Sequence, residues 1–300
     1  MTWNPDSMLA NADWPKRTAD FFPTVFERRT KHMGPGDHPS GSPQDVHGGG
    51  GGNETPAELI DRELNRIERQ KPYKKITDTW IEMSEDQDAL DLPGSMPKVS
   101  LPNNPNVQLD IDIGYLRPGG IGTLKATQQQ LVDMLEEADQ HDLSDLHRIY
   151  LGMKKKPHPH RKYGGYNVDE RVIDIRIDAL HEMPRTKNGF HADSHHEATI
   201  THEIGHLLHD TVIRKEIPGQ NLKSVRADWD DMFEDSLVGP ESRRKTAAKV
   251  SGYATTEPIE FVAETFAGVR SGKIYSEDVL SLYRYLDGPP LPKPKEWWEF

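Results

Sequence analysis

The chain of 300 residues contains no cysteine. That excludes disulfide frameworks, thiolate metal sites and cysteine nucleophiles, so any metal must be held by histidine and carboxylate side chains. Apolar residues are also scarce: the hydrophobic fraction is 34% and the mean hydropathy is −0.78. No run approaches the roughly 18 consecutive apolar residues of a membrane span. The opening Met1-Thr2-Trp3-Asn4-Pro5-Asp6 has neither the basic flank nor the apolar stretch of a signal peptide. The expectation is a chain that acts in the cytoplasm where it is made, or leaves by a route that needs no cleaved signal, without contact with a membrane. Positive charge is short as well, with a net charge of −12, which argues against a general nucleic-acid binder. No glycine-rich phosphate loop precedes a helix, because Gly48–Gly52 lacks the strand and the lysine that such a loop requires.

Glycine (24) and proline (23) are plentiful. A chain this polar and punctuated is expected to form one core-bearing domain of about 150–200 residues with poorly ordered extensions. Residues 1–54 read as an N-terminal arm, aromatic and basic over 3–30, followed by a flexible Gly/Pro/His-rich linker. Residues 55–104 read as a helix plus a proline-rich linker. Thr55 as N-cap, Pro56 at the first helical position and Glu58 two further on make a capping box. Ile60, Leu64 and Ile67 then form one stripe on a helix ending near Lys71-Pro72. A central domain follows over 105–288, and 289–300 is a Pro/Trp tail.

Within 105–288, alternation predicts strands at 107–113, 146–151 and 172–177. Helical periodicity predicts helices at 125–140, 195–213, 257–271 and 276–286. The order implies an α+β fold, with helices against a small mixed sheet.

His202-Glu203-Ile204-Gly205-His206 carries the sharpest chemistry. Residues i and i+4 lie one helical turn apart, so both imidazoles can reach one cation. Glu203 sits about 100° round the helix, placed beside an open coordination position where a carboxylate can take a proton from water. Ser194 and Glu197 make a capping box upstream, and Ile200, Ile204, Leu207, Leu208 and Val212 form an apolar face away from the histidines. Two ligands do not complete a site. His209 shares the stripe, but three ligands from one straight helix rarely converge on a tetrahedral ion. The better third ligand lies downstream, where Glu260 and Glu264 share a helix face with Ala263 and Ala267. Small alanines there let that helix come close to the first. A His, His, Glu set with one open position is the composition of a catalytic zinc site, holding one Zn²⁺.

His202-Glu203-x-x-His206, with Tyr253-x-x-Thr256-x-x-x-Glu260-Phe261-x-Ala263-Glu264-x-Phe266, resembles the catalytic domain of anthrax lethal factor and its relatives, zinc metallopeptidases of the gluzincin type. The resemblance is specific in those two blocks, loosely consistent in element order over roughly 105–288, and does not extend to the first hundred residues. It implies a zincin-like fold, with zinc on His202, His206 and Glu260 and with Glu203 as general base. It further implies that Tyr253 donates to the developing oxyanion and that Glu264 orients a ligand or Tyr253. A second stretch, His38–Gly49, is similar to short His/Gly motifs of phage head and portal-associated proteins, which favours a phage-encoded protein and makes such proteins candidate partners.

The expected activity is zinc-dependent endopeptidase action on a protein or peptide substrate, bound extended along a sheet edge for which 170–178 is the natural candidate. The rival is a non-catalytic virion structural or assembly protein that keeps the zinc fold. Glu203 and Tyr253 separate the two, because a structural site needs neither. Nine of the 14 histidines lie between 158 and 209, and Lys154–Lys156 with Arg161 and Lys162 form a basic cluster. The bland reading of each is a solvated or hydrogen-bonded side chain.

Overall fold

The alternating runs assemble into one mixed sheet. The computed structural model describes residues 55–85, 99–111, 121–152, 164–176, 191–192, 197–217, 219–225, 229 and 240–294, all within the unit Gly49–Phe300. The arm and linker over 1–54, the basic cluster, and Ser194 of the expected capping box lie outside them.

In chain order the elements are α1 (Pro56–Glu85), β1 (Val99–Ser100), β2 (Gln108–Ile111), α2 (Ile121–Asp139), β3 (Arg148–Leu151), β4 (Gly164–Asn167), β5 (Val172–Ile175), α3 (Ala198–Glu216), α4 (Pro240–Ala248), a 3₁₀ turn (Tyr253–Thr255), α5 (Pro258–Arg270) and α6 (Glu277–Tyr285). The fold is α+β. The sheet runs β1-β2-β3-β5-β4, with β2, β3 and β5 parallel and the outer strands β1 and β4 antiparallel to their neighbours. Leu109, Ile149 and Ile173 are in register across the three parallel strands, as are Ile111, Leu151 and Ile175, and all six are buried. Each contributes about 1.5–3 kcal/mol by leaving water.

The helix N-terminus at Thr55 forms as expected. Its backbone N–H donates to Glu58 at 2.7 Å, and the Glu58 N–H donates back to the Thr55 hydroxyl at 3.3 Å. The same helix corrects one expectation and adds one finding. It runs through Pro72 to Glu85 instead of ending at Lys71, and its stripe of Ile60, Leu64 and Ile67 is exposed. An interior proline costs a helix about 3 kcal/mol. Here Tyr73, Ile76 and Trp80, beyond the proline, are buried in the same hydrophobic cluster as the sheet, which outweighs that cost. The Tyr73 hydroxyl also donates to buried Asp139 at the end of α2.

Two strands escaped the sequence reading. β1 is only two residues long, and β4 begins Gly164-Gly165, a poor strand signal. The second omission moves the expected substrate edge. Val172–Ile175 is paired on both sides, to β3 and to β4, so the edge strand beside the helices is β4. A Cβ at Gly164 would lie 2.8 Å from Thr199 Cγ2, so the glycine is what lets β4 lie against α3.

Helix α3 buries Ile200, Ile204 and Leu207 in the sheet-side cluster, joined by Phe266 of α5. Its N-cap is Glu197, without a side-chain capping bond. Helix α5 starts at Pro258 and is buried almost all round, including Phe261, Val262 and Ala263. Among the described residues, no helix is long and apolar enough to cross a membrane.

Candidate metal centre

Helices α3 and α5 meet at Gly205 and Ala263. A Cβ on Gly205 would stand 3.1 Å from the Ala263 Cα and 3.4 Å from its carbonyl oxygen. Glycine inside a helix costs about 1 kcal/mol relative to alanine. In exchange the two backbones approach closely enough for Glu260 to reach both histidines. This is the close approach that the alanines of α5 foreshadowed.

Glu260 Oε2 lies 2.9 Å from His202 Nε2 and 3.2 Å from His206 Nε2, and the two ring nitrogens are 3.1 Å apart. His202, His206 and Glu260 thus form a group that could hold one metal ion. The fit is geometric as well as chemical. Four ligands set tetrahedrally at zinc bond lengths stand about 3.3 Å from one another. Three potential donors at that spacing match what one shared ion would require. The side chains retain 12%, 9% and 15% exposure, so the donors are enclosed yet open to a cleft. His209, the other candidate on the helix, is elsewhere: its Nε2 bonds the Leu286 carbonyl at 2.7 Å and its ring stacks on Trp229.

Charge is organised around the triad. Burial alone would lower the His202 pKa, but contacts with Glu260 and Glu264 outweigh it and hold it well above the usual imidazole range. Burial would raise Glu260, and the adjacent His206 and His202 hold it well below the usual carboxylate range instead. Glu264 likewise resists its burial: contact with His191 and His202 brings its pKa down to about 2. One oxygen of Glu264 sits 3.0 Å from His202 Nδ1, near enough to be felt as charge though off the line of a straight hydrogen bond. Glu264 therefore lies on the Nδ1 side of His202, away from the Nε2 atom that faces Glu260.

The cleft beside the triad measures about 670 Å³ and is lined by the whole of β4, by Glu203 between the two histidines, and by Tyr253 and Glu257. Glu203 is buried at 6% exposure. The Tyr253 ring stands 5.8 Å from the His202 ring, centroid to centroid. Burial, followed by the negative charge of Glu260, Glu203, Glu264 and Glu257, raises the Tyr253 pKa, so the phenol keeps its proton and remains a donor. The residues singled out from the two sequence blocks therefore meet at one place. Sequence reasoning missed β4, whose two glycines disguise it, and His191, which carries no periodic signal and was only one histidine among nine.

No protein-family model matches the chain, and no curated protein matches it.

Proposed function

We propose that the chain is a zinc-dependent endopeptidase. The observation that carries this reading is the convergence of the His202, His206 and Glu260 donors with Glu203 and Tyr253 in one cleft beside an edge strand. The His₂Glu composition favours zinc, and the zincin-like resemblance of the two sequence blocks points the same way. Zinc, when bound, supplies Lewis acidity toward a substrate carbonyl and makes water a nucleophile at neutral pH.

The protein's own groups do the rest. Glu203 accepts a proton from the attacking water at its carboxylate and returns it to the departing amine. The Tyr253 hydroxyl donates toward the negative charge that develops on the carbonyl oxygen, an interaction stronger in the transition state than in the ground state. Glu264 holds His202 in place from behind. β4 offers its outer edge to an extended peptide, so main-chain pairing sets register and the cleft selects side chains. Protein or peptide substrates, phage head or portal proteins among them, follow from this reading, and nucleic acid does not.

The test compares wild type with Glu203→Gln for zinc content and for cleavage of a mixed peptide library. Both proteins are expected to hold one zinc, and only wild type to cleave. If wild type binds zinc and cuts nothing, the site is structural and the virion-assembly reading replaces this one.

A further inference from the structure

We propose that His191 is a positioning residue for Tyr253: a histidine remote from both sequence blocks that fixes the attitude of the phenol in the cleft. The proposal deepens the peptidase reading and rests on it for its kinetic consequences.

Tyr253 opens a 3₁₀ turn of three residues, at whose start Ser251 Oγ accepts from the Ala254 N–H at 3.0 Å and so fixes the backbone but not the phenol. So short an element has poor hydrogen-bond geometry of its own, and neighbours decide where its side chains point. Two rings flank the phenol. One is the ligand His202, and the other is His191, whose ring centre is 5.2 Å away at 57°. Such tilted ring pairs are attractive beyond the area they bury.

His191 is itself held. Its Nδ1 is 3.3 Å from Glu264 Oε1, and the N–H of the next residue, Ala192, donates to Glu264 Oε2 at 2.5 Å. Ala192 is fully buried and Glu264 is 3% exposed, so this anchorage is shielded from competing water. A single carboxylate thereby ties two things together: the back of one zinc donor and the segment that carries the imidazole beside Tyr253. His191 takes no part in the donor triad. Its removal takes away one of the rings against the phenol and leaves the donor triad untouched.

The experiment uses the full chain with five variants, four single and one double. His191→Ala is expected to lower kcat by about 10- to 100-fold, less than the roughly 10²–10³-fold cost of deleting an oxyanion donor. KM and zinc affinity should stay within about threefold, because neither substrate edge nor donors are touched. In a Tyr253→Phe background, His191→Ala should have no further effect, since it acts only through the phenol. His191→Phe, which keeps a ring against Tyr253, should restore most of kcat, while His191→Gln, which keeps a polar contact for Glu264 without a ring, should not.

A readout independent of cleavage places 3-fluorotyrosine at position 253 and follows its ¹⁹F resonance with zinc removed by chelator. The line should move in His191→Ala and return in His191→Phe. An unmoved line overturns the proposal, as do additive kcat losses in the double variant or a loss of zinc binding in His191→Ala. If wild type proves unable to cleave peptides, the peptidase reading fails on that result, and the ¹⁹F lines alone decide whether His191 positions Tyr253.

Discussion

Among the described residues, two of the buried polar clusters that lie between helices are built on opposite plans. In the first, Glu137 of α2 receives Arg270 of α5 through two bonds, Nε to Oε1 at 2.9 Å and a terminal nitrogen to Oε2 at 3.1 Å. His141 stands 3.1 Å from the same carboxylate, the Thr201 hydroxyl of α3 donates to it at 3.4 Å, and Arg270 also donates to the Lys293 carbonyl in the tail. Donors face acceptors throughout, and the cluster is complete in itself. In the second, the His202, His206 and Glu260 donors crowd one another at 2.9–3.2 Å. Thr201 touches the first cluster and its neighbour His202 belongs to the second. The difference teaches how one helix can carry both a structural lock and a binding site. Matched donors and acceptors hold helices together, whereas convergent ligand atoms leave a demand that a cation could meet.

That contrast can be broken at either cluster. The largest effect is expected at the lock. Arg270→Met leaves Glu137 buried without its cation, and breaking a buried pair from one side costs about 3–5 kcal/mol. Urea unfolding should show that loss, with zinc affinity of the remaining folded protein nearly unchanged. Replacing both partners, with Glu137→Leu added, should recover much of the loss, because no uncompensated charge then remains.

At the other cluster, Glu260→Ala should reduce zinc affinity by more than the roughly 10–100-fold that loss of an outer partner costs. Zinc should no longer raise the unfolding midpoint, since a ligand that does not bind the folded state cannot stabilise it. Calorimetric titration and thermal scans with and without zinc would check this. Retained affinity would remove Glu260 from the donor set.

Gly205→Ala acts on both clusters through the helix crossing. Its Cβ must displace the Ala263 backbone from 3.1 Å, and such overpacking costs about 1–3 kcal/mol. Denaturation midpoint and zinc affinity should fall together. A loss of stability alone would mean that the triad tolerates a wider crossing.

The smallest effect concerns pH. His209 lies on the same helix as His202, yet burial drives its pKa down to about 3. In the unfolded chain it titrates near 6.5, so between pH 6.5 and 3 the unfolded state takes up a proton that the folded state refuses. Stability from this residue is therefore present above pH 6.5 and lost as pH falls toward 3. Chelator-treated His209→Phe should show a shallower loss of unfolding free energy between pH 7.5 and 5 than wild type. Parallel curves would show that His209 adds nothing to the acid limb.

Much of this was legible in the residues alone. The spacing of Ile200, Ile204 and Leu207 wrote α3, and the pair at 202 and 206 announced its chemistry, because helical periodicity is a local property. The strand alternations at 108–111 and 172–175 were equally plain. β4 was not, since Gly164 and Gly165 lack the side chains that signal a strand, and the role of Gly164, room for Thr199, is set by an element 35 residues away. The continuation of α1 through Pro72 was hidden too, for the local cost of the proline is visible while the burial of Trp80 is not.

The amino-acid order by itself determined which side chains share a turn: two imidazoles on one helix face, with a carboxylate between them. Glu260, 58 residues beyond His202, could be nominated from its own helix pattern, but only the tertiary structure brought it to 2.9 Å from His202, set β4 and not β5 beside the cleft, and stood His191 next to Tyr253. The physical reason is range. Backbone geometry couples residues within a few positions, but a site built from separate elements depends on how closely their surfaces pack, and here that closeness turns on the hydrogen atom that Gly205 carries in place of a side chain.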